Sequence, residues 1–208
     1  MTAASNPNPG PPDIRLLAEA DFPTRWAHFR IFGFEMGDES AVALRLQPPA
    51  GAGTAAPPLV RIHSQCLTGD VFGSLRCDCR QQLELALGAI ADAGAGVLIY
   101  EQQEGRGIGL MPKLQAYALQ DQGLDTVEAN RRLGFADDQR GYALPAAILL
   151  YLGLRQVRLL SNNPDKIQAL ERAGVTVSER IPCEPQGLSR HAREYLEVKR
   201  AKLGHLLG

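Results

Sequence analysis

From residue 26 onward the chain alternates short apolar runs with longer stretches whose apolar residues return every three or four positions. Short runs of β-branched and other apolar residues predict strands over 26–34, 41–46, 59–63, 96–100, 157–160 and 175–180. Between them, residues 78–93 carry Leu83, Ala86, Leu87 and Ile90 on one helical face and stop at Gly94, which fits a C-cap. Residues 110–122 repeat the pattern with Leu110, Leu114, Tyr117 and Ala118. Pro145 opens a further helix, where its missing N–H costs little, and Asn163 caps another with Pro164 in the first turn. Residues 189–203 read as a basic amphipathic helix. Strands alternating with helices predict an α/β fold: a single domain with a mixed β-sheet flanked by helices.

The chain's 208 residues, 45% of them hydrophobic, suffice for one substantial core. A formal charge of −1 is too nearly neutral for a general nucleic-acid binder, so any bound anion must be met by local basic residues. No leader-like pattern opens the chain and no apolar run could span a bilayer, so a cytoplasmic location without membrane contact is expected. Residues 1–13 bury almost nothing and are expected to form a disordered tail, and 47–58 a surface loop. That leaves 14–188 as the ordered domain, with 189–208 as its C-terminal helix and tail.

Three of the four cysteines, Cys66, Cys77 and Cys79, fall within the largely polar run HSQCLTGDVFGSLRCDCRQQ. In a reducing compartment such clustering reads as a metal site, with three thiolates around zinc and a fourth position left for water. Asp78 can start a helix whose N-terminus favours thiolate. Three other readings compete: three small core residues, which Arg76, Asp78 and Arg80 disfavour, a Cys77–Cys79 disulfide, which the close spacing disfavours, or a closed structural site with His63 as fourth ligand. Cys183 stands apart as an ordinary thiol.

Three further segments carry chemistry. EQQEGRGIGL is a glycine-rich turn into a helix, with Arg106 as a forked cation and Glu104 as a carboxylate able to accept two parallel hydrogen bonds. LSNNPDK sets Ser161, Asn162, Asn163 and Lys166 at a strand-to-helix junction suited to phosphate or to a plain helix cap. DDQRGY offers Asp138 and Arg140 two residues apart, by pattern alone a surface ion pair. Tyr117 lies on an apolar helix face, where core packing is the default.

These segments in this order, with YALQDQGLDTVEANRRLGF between them, resemble the GTP cyclohydrolase II family. The resemblance implies conversion of GTP and water to formate, pyrophosphate and 2,5-diamino-6-(5-phosphoribosylamino)pyrimidin-4(3H)-one, the first step of riboflavin synthesis. It also implies Zn2+, Mg2+ with the substrate phosphates, and a homodimer. Cys66, Cys77 and Cys79 match the family's zinc ligands, implying an activated water that attacks C8 of guanine and a second hydration that frees formate. Arg61, Ile62, His63, Ser64, Gln65, Gln82, Glu104, Gly105, Arg106, Thr126, Ser161 and Lys166 match substrate-contacting positions, with Glu104 reading the guanine edge. Asp138 matches a proton acceptor, Arg140 a nucleophile at the α-phosphate, and Tyr117 a tyrosine near ring opening. Because an arginine is rarely neutral, electrostatic stabilisation is the role expected of Arg140. The chain departs from the family pattern at Gln65, Arg80, Gln102, Ser161, Ser189 and Ala192.

Overall fold

The computed structural model describes residues 13–48, 56–136 and 138–206. Most of the tail expected over 1–13 and the centre of the loop expected over 47–58 lie outside the described residues. Seven strands form one mixed sheet: β1 Arg15–Pro23, β2 His28–Met36, β3 Glu39–Leu46, β4 Leu59–Ser64, β5 Gly96–Glu101, β6 Gln156–Leu160 and β7 Thr176–Ile181. Their order is β1-β2-β3-β5-β4-β6-β7. The first four in that order pair antiparallel, and β5, β4, β6 and β7 pair parallel. The helices are α1 Leu67–Asp70, α2 Cys79–Asp92, α3 Leu110–Gln120, α4 Thr126–Arg132, α5 Ala143–Tyr151, α6 Pro164–Arg172 and α7 Arg190–Leu203, with a 3₁₀ turn at Glu104–Gly107.

The parallel strands are apolar on both faces because helices cover both. Val60, Ile62, Val97, Ile99, Val157 and Leu159 pack with Leu144, Ile148 and Leu149 of α5 and Leu170 of α6. Leu59, Leu98 and Leu160 face the other way, against Ala86, Leu87 and Ile90 of α2. Side chains alternate along a strand, so Arg61 and His63 follow Leu59 onto the α2 side. They reach the end of β4 just where the chain turns into the cysteine-bearing segment.

All six expected strands form, and the expected helices form with shifts of a few residues at their ends. Gly94 lies past α2 in the left-handed region (φ +67°), as a C-cap glycine should. Strand β1 was not expected. It is almost wholly exposed and is stitched to β2 by cross-strand pairs, Arg15 with Glu35 at 2.6 Å, Arg30 with Glu19 at 2.9 Å and His28 with Asp21 at 2.5 Å. Helix α4 was not expected either.

Candidate active site

The parallel strands end on one side of the sheet, where ligand sites of α/β proteins gather, and the loops beyond β4, β5 and β6 meet there. Every residue named above as a candidate lines one cavity except Ile62 and Asp138. Ile62 is fully buried in the core, so it shapes the site only through its backbone. Asp138 stands behind Arg140, which does line the cavity.

At one end of the cavity the sulfurs of Cys66, Cys77 and Cys79 lie within 4.8 Å of one another, and Cys66 Sγ is 3.7 Å from Cys77 Sγ. Tetrahedral zinc with bonds of about 2.3 Å sets its sulfurs about 3.8 Å apart, so the donor set fits the ion by type and spacing. Hydrogen bonds from Cys77 and Cys79 hold Cys66 far below the usual thiol range, while the hydrogen bond to Cys66 pushes Cys77 up to about 11, and those to Cys66 and Cys77 push Cys79 well above its ordinary value. Gly69 in α1 makes the convergence possible. A Cβ there would sit 2.9 Å from Cys77 Sγ, 3.1 Å from Cys79 Cβ and 3.2 Å from Cys66 Sγ. Gly69→Ala is therefore expected to fold yet lose most of its capacity for metal, checked by metal content after dialysis against circular dichroism of the same sample.

His63 does not join the sulfurs. Its Nε2 faces both oxygens of Asp70 at 3.2 Å, and burial holds its pKa below the ordinary value in spite of that carboxylate. Asp70 also accepts from Tyr100 Oη at 2.8 Å and from the backbone N–H of Cys66 at 3.0 Å, so this buried carboxylate fixes where the first sulfur stands. Asp78 starts α2, as expected, but its side chain does not cap the helix. It accepts from Gln82 Nε2 at 2.5 Å, and Gln82 Oε1 accepts from Arg61 Nη2 at 2.6 Å. Gln82, expected at the substrate, thus bridges Arg61 to the turn between two cysteines.

The glycine-rich turn after β5 does more than present N–H groups. Gly105 and Arg106 both take left-handed backbone angles, and Arg106 is the one non-glycine residue to do so among the described residues. A Cβ on Gly107 would lie 3.2 Å from the carbonyl carbon of Gln139, and Gln139 N–H donates to the Arg106 carbonyl at 3.1 Å. The glycine lets this turn lie flat against the segment carrying Asp138 and Arg140. Glu104 faces inward: Oε2 accepts from Leu67 N–H at 2.6 Å, and Oε1 from Gly105 N–H at 2.9 Å and Lys113 Nζ at 2.8 Å. A guanine edge would have to compete with these donors.

Arg140 holds Asp138 in a fork, with Nε 2.9 Å from Oδ1 and Nη2 2.5 Å from Oδ2, and its backbone N–H adds a third bond at 3.0 Å. Burial alone would favour the neutral forms. The pair overrides it, so Asp138 is held below the carboxylate range and Arg140 well above its ordinary value. Arg140 Nη1 also reaches Ser64 Oγ at 3.4 Å, which donates to Glu101 Oε2 at 3.1 Å. Burial raises the pKa of Glu101.

Tyr117 Oη lies 3.3 Å from Thr68 Oγ1, and burial pushes its phenol up to about 12, so it stays protonated and able to donate. Arg76 stacks on its ring at 4.9 Å. Ser161 bonds the backbone of Asn163 and Lys166 Nζ donates to the Ile62 carbonyl at 2.8 Å. Asn163 caps α6 through Asp165 N–H at 2.9 Å. Thr126 opens α4, whose Asp125 and Glu128 form a reciprocal capping box. Ser189 Oγ donates to the Leu75 carbonyl at 2.6 Å, tying the start of α7 to the loop between the cysteines.

Asp70, Glu101 and Lys113 were missed. Glu101 had a signal, a carboxylate closing an apolar run at a strand's C-terminal end. Asp70 and Lys113 had none, since a charge on a short turn or a helix reads as solvated.

A model of the family described as GTP cyclohydrolase II matches residues 15–182. Curated relatives named GTP cyclohydrolase-2 include one from Histophilus somni (strain 2336), 51% identical over 196 residues, 93% of this chain and 89% of the relative. Another, from Pseudomonas aeruginosa (strain LESB58), is 52% identical over 197 residues, 94% of each chain. Among solved structures, a two-domain 3,4-dihydroxy-2-butanone 4-phosphate synthase from A. baumannii overlaps at a TM-score of 0.45 and 19% identity, covering 81% of this chain and 39% of its own. That overlap is too loose to bear on function. The match across most of the chain, over a cavity in which the three cysteines converge, makes this protein a member of the GTP cyclohydrolase II family of hydrolases.

Proposed function

We propose that the cavity binds GTP and, with zinc held by Cys66, Cys77 and Cys79, hydrolyses it to 2,5-diamino-6-(5-phosphoribosylamino)pyrimidin-4(3H)-one, formate and pyrophosphate, opening riboflavin synthesis. The observation that carries this reading is the make-up of the cavity wall. It joins the three sulfurs to Arg61, Arg76, Arg106, Lys113, Arg140 and Lys166, with Glu104 as its only acidic side chain among the described residues. In a chain of net charge −1, such a concentration of cations suits a polyphosphate, and sulfur ligands suit zinc.

When bound, zinc supplies Lewis-acid chemistry and makes water nucleophilic at neutral pH. The protein's own groups orient and stabilise. Arg140, kept charged by Asp138, stabilises charge at the phosphates, and Asp138 can accept a proton beside it. Tyr117, kept protonated, can donate to a developing oxyanion or amine near the sulfurs. The single acidic wall residue is already committed, which supports Mg2+ entering with the substrate phosphates and not in a carboxylate cage.

Residues 14–188 are read as one catalytic domain with 189–208 belonging to it. Tyr195 and His205 line the same cavity, and Leu206 N–H donates to the Asn162 carbonyl at 2.8 Å. No helix among the described residues is long and apolar enough to cross a membrane, which supports a cytoplasmic enzyme. A homodimer would cover part of the apolar surface at Phe72 and Leu75, 73% and 69% exposed.

Zinc content measured alongside formate and pyrophosphate release from GTP tests the whole reading. Equal release of both products by zinc-loaded protein is expected. A formylated pyrimidine without formate would assign a truncated reaction instead, and no turnover with zinc bound would leave only nucleotide binding.

A further inference from the structure

Lys113 sits in the first turn of α3, where the helix dipole disfavours a cation. What holds it there is its surroundings. Its Nζ donates to Cys66 Sγ at 3.1 Å, to Thr68 Oγ1 at 3.0 Å and to Glu104 Oε1 at 2.8 Å. Its side chain is 12% exposed, so water screens these contacts little. The ammonium's three protons therefore meet three acceptors from two different segments, α1 with its preceding cysteine and the 3₁₀ turn after β5.

The geometry points to Lys113 as a positioning residue that sets the donor strength of Cys66. Resting on the metal reading above, the inference follows from charge and hydrogen bonding. Three thiolates around a dication carry a net charge of −1, and one ammonium against a sulfur brings the cluster to neutrality. A hydrogen bond into a thiolate lone pair withdraws electron density from it, so the ion it ligates stays a stronger Lewis acid. Glu104 and Thr68 keep the ammonium aimed at one sulfur. Among the contacts described for Cys77 and Cys79 there is no such cation, so the three ligands are made unequal by design of the cavity wall.

The test uses the full-length protein loaded with Co2+, whose sulfur-to-metal charge-transfer band reports thiolate donor strength. In Lys113→Met the band is expected to move to longer wavelength, and kcat with the zinc-loaded variant to fall roughly 10- to 100-fold with a smaller change in KM. Lys113→Arg keeps a cationic donor and should hold the band near its wild-type position while recovering part of kcat. If Lys113→Met does not fold, Lys113→Gln, a neutral donor of similar reach, should give an intermediate band. A Lys113→Met or Lys113→Gln band superimposable on the wild type overturns the inference, as does a folded variant that takes up no cobalt, since that would make Lys113 a holder of the ion. Failure of the wild type itself to take up cobalt sinks the metal reading, an outcome distinct from an unmoved band.

Discussion

Cys77→Ser is expected to lose bound metal and turnover in the same preparation. The serine hydroxyl occupies nearly the same volume but stays protonated at neutral pH, so it replaces a thiolate ligand with a weak neutral oxygen. Cys66 and Cys79 remain, yet two sulfurs do not complete the three-ligand set that leaves one place for solvent. The contribution of a catalytic ion is several kcal/mol at the transition state, so activity should fall by about a thousandfold or more. The fold should survive, because the sheet and both of its apolar faces are built without Cys77. Metal analysis, turnover and a thermal melt on one sample decide the matter. Full turnover by the metal-free variant would refute the assignment of this corner.

The second large effect is expected at Arg140. The fork between its guanidinium and Asp138 needs two parallel N–H bonds, which a lysine cannot supply. Arg140→Lys should therefore keep the charge but lose its aim, lowering kcat by roughly 10²- to 10³-fold, as loss of one oriented transition-state donor does. Arg140→Gln should be worse, since it removes the charge as well and leaves the part-buried Asp138 without its forked partner. This order, arginine above lysine above glutamine, is the signature of electrostatic stabilisation. A covalent nucleotide adduct on Arg140, seen by mass spectrometry of quenched wild-type enzyme, would instead restore arginine as the nucleophile. The pairing argues the other way: a guanidinium whose pKa is raised by an adjacent carboxylate is harder to deprotonate than a free one.

How much of this was legible beforehand varies with the physics behind each element. Strands β4 and β5 are continuous apolar runs because both faces are covered, and such runs are plain in a sequence. Strand β1 packs little against anything; its pairing rests on backbone bonds and on charges opposite charges in β2, carried by residues 7 to 20 positions apart in the chain. Helix α4 is short, but Asp125-Thr126-Val127-Glu128 carries a capping-box pattern and could have been read. The sulfur trio was legible because so few other roles suit clustered thiols among charged neighbours. Gln82 and Glu104 are expected at the substrate from the sequence; the bonds each also makes to protein groups depend on residues that only the folded chain brings near. The same holds for Lys113, whose partners are 9 to 47 residues away along the chain.

Arg106 keeps a side chain on a backbone twist that glycine would accept without penalty. Relaxing it, as in Arg106→Gly, removes a local strain of about 1–2 kcal/mol, and the variant should melt no lower than its parent while turning over more slowly. The protein thus holds a small tension at the rim of its own working pocket, and rigidity gained there would come out of catalysis. Efforts to make a hardier version of this enzyme should leave that one bent residue alone.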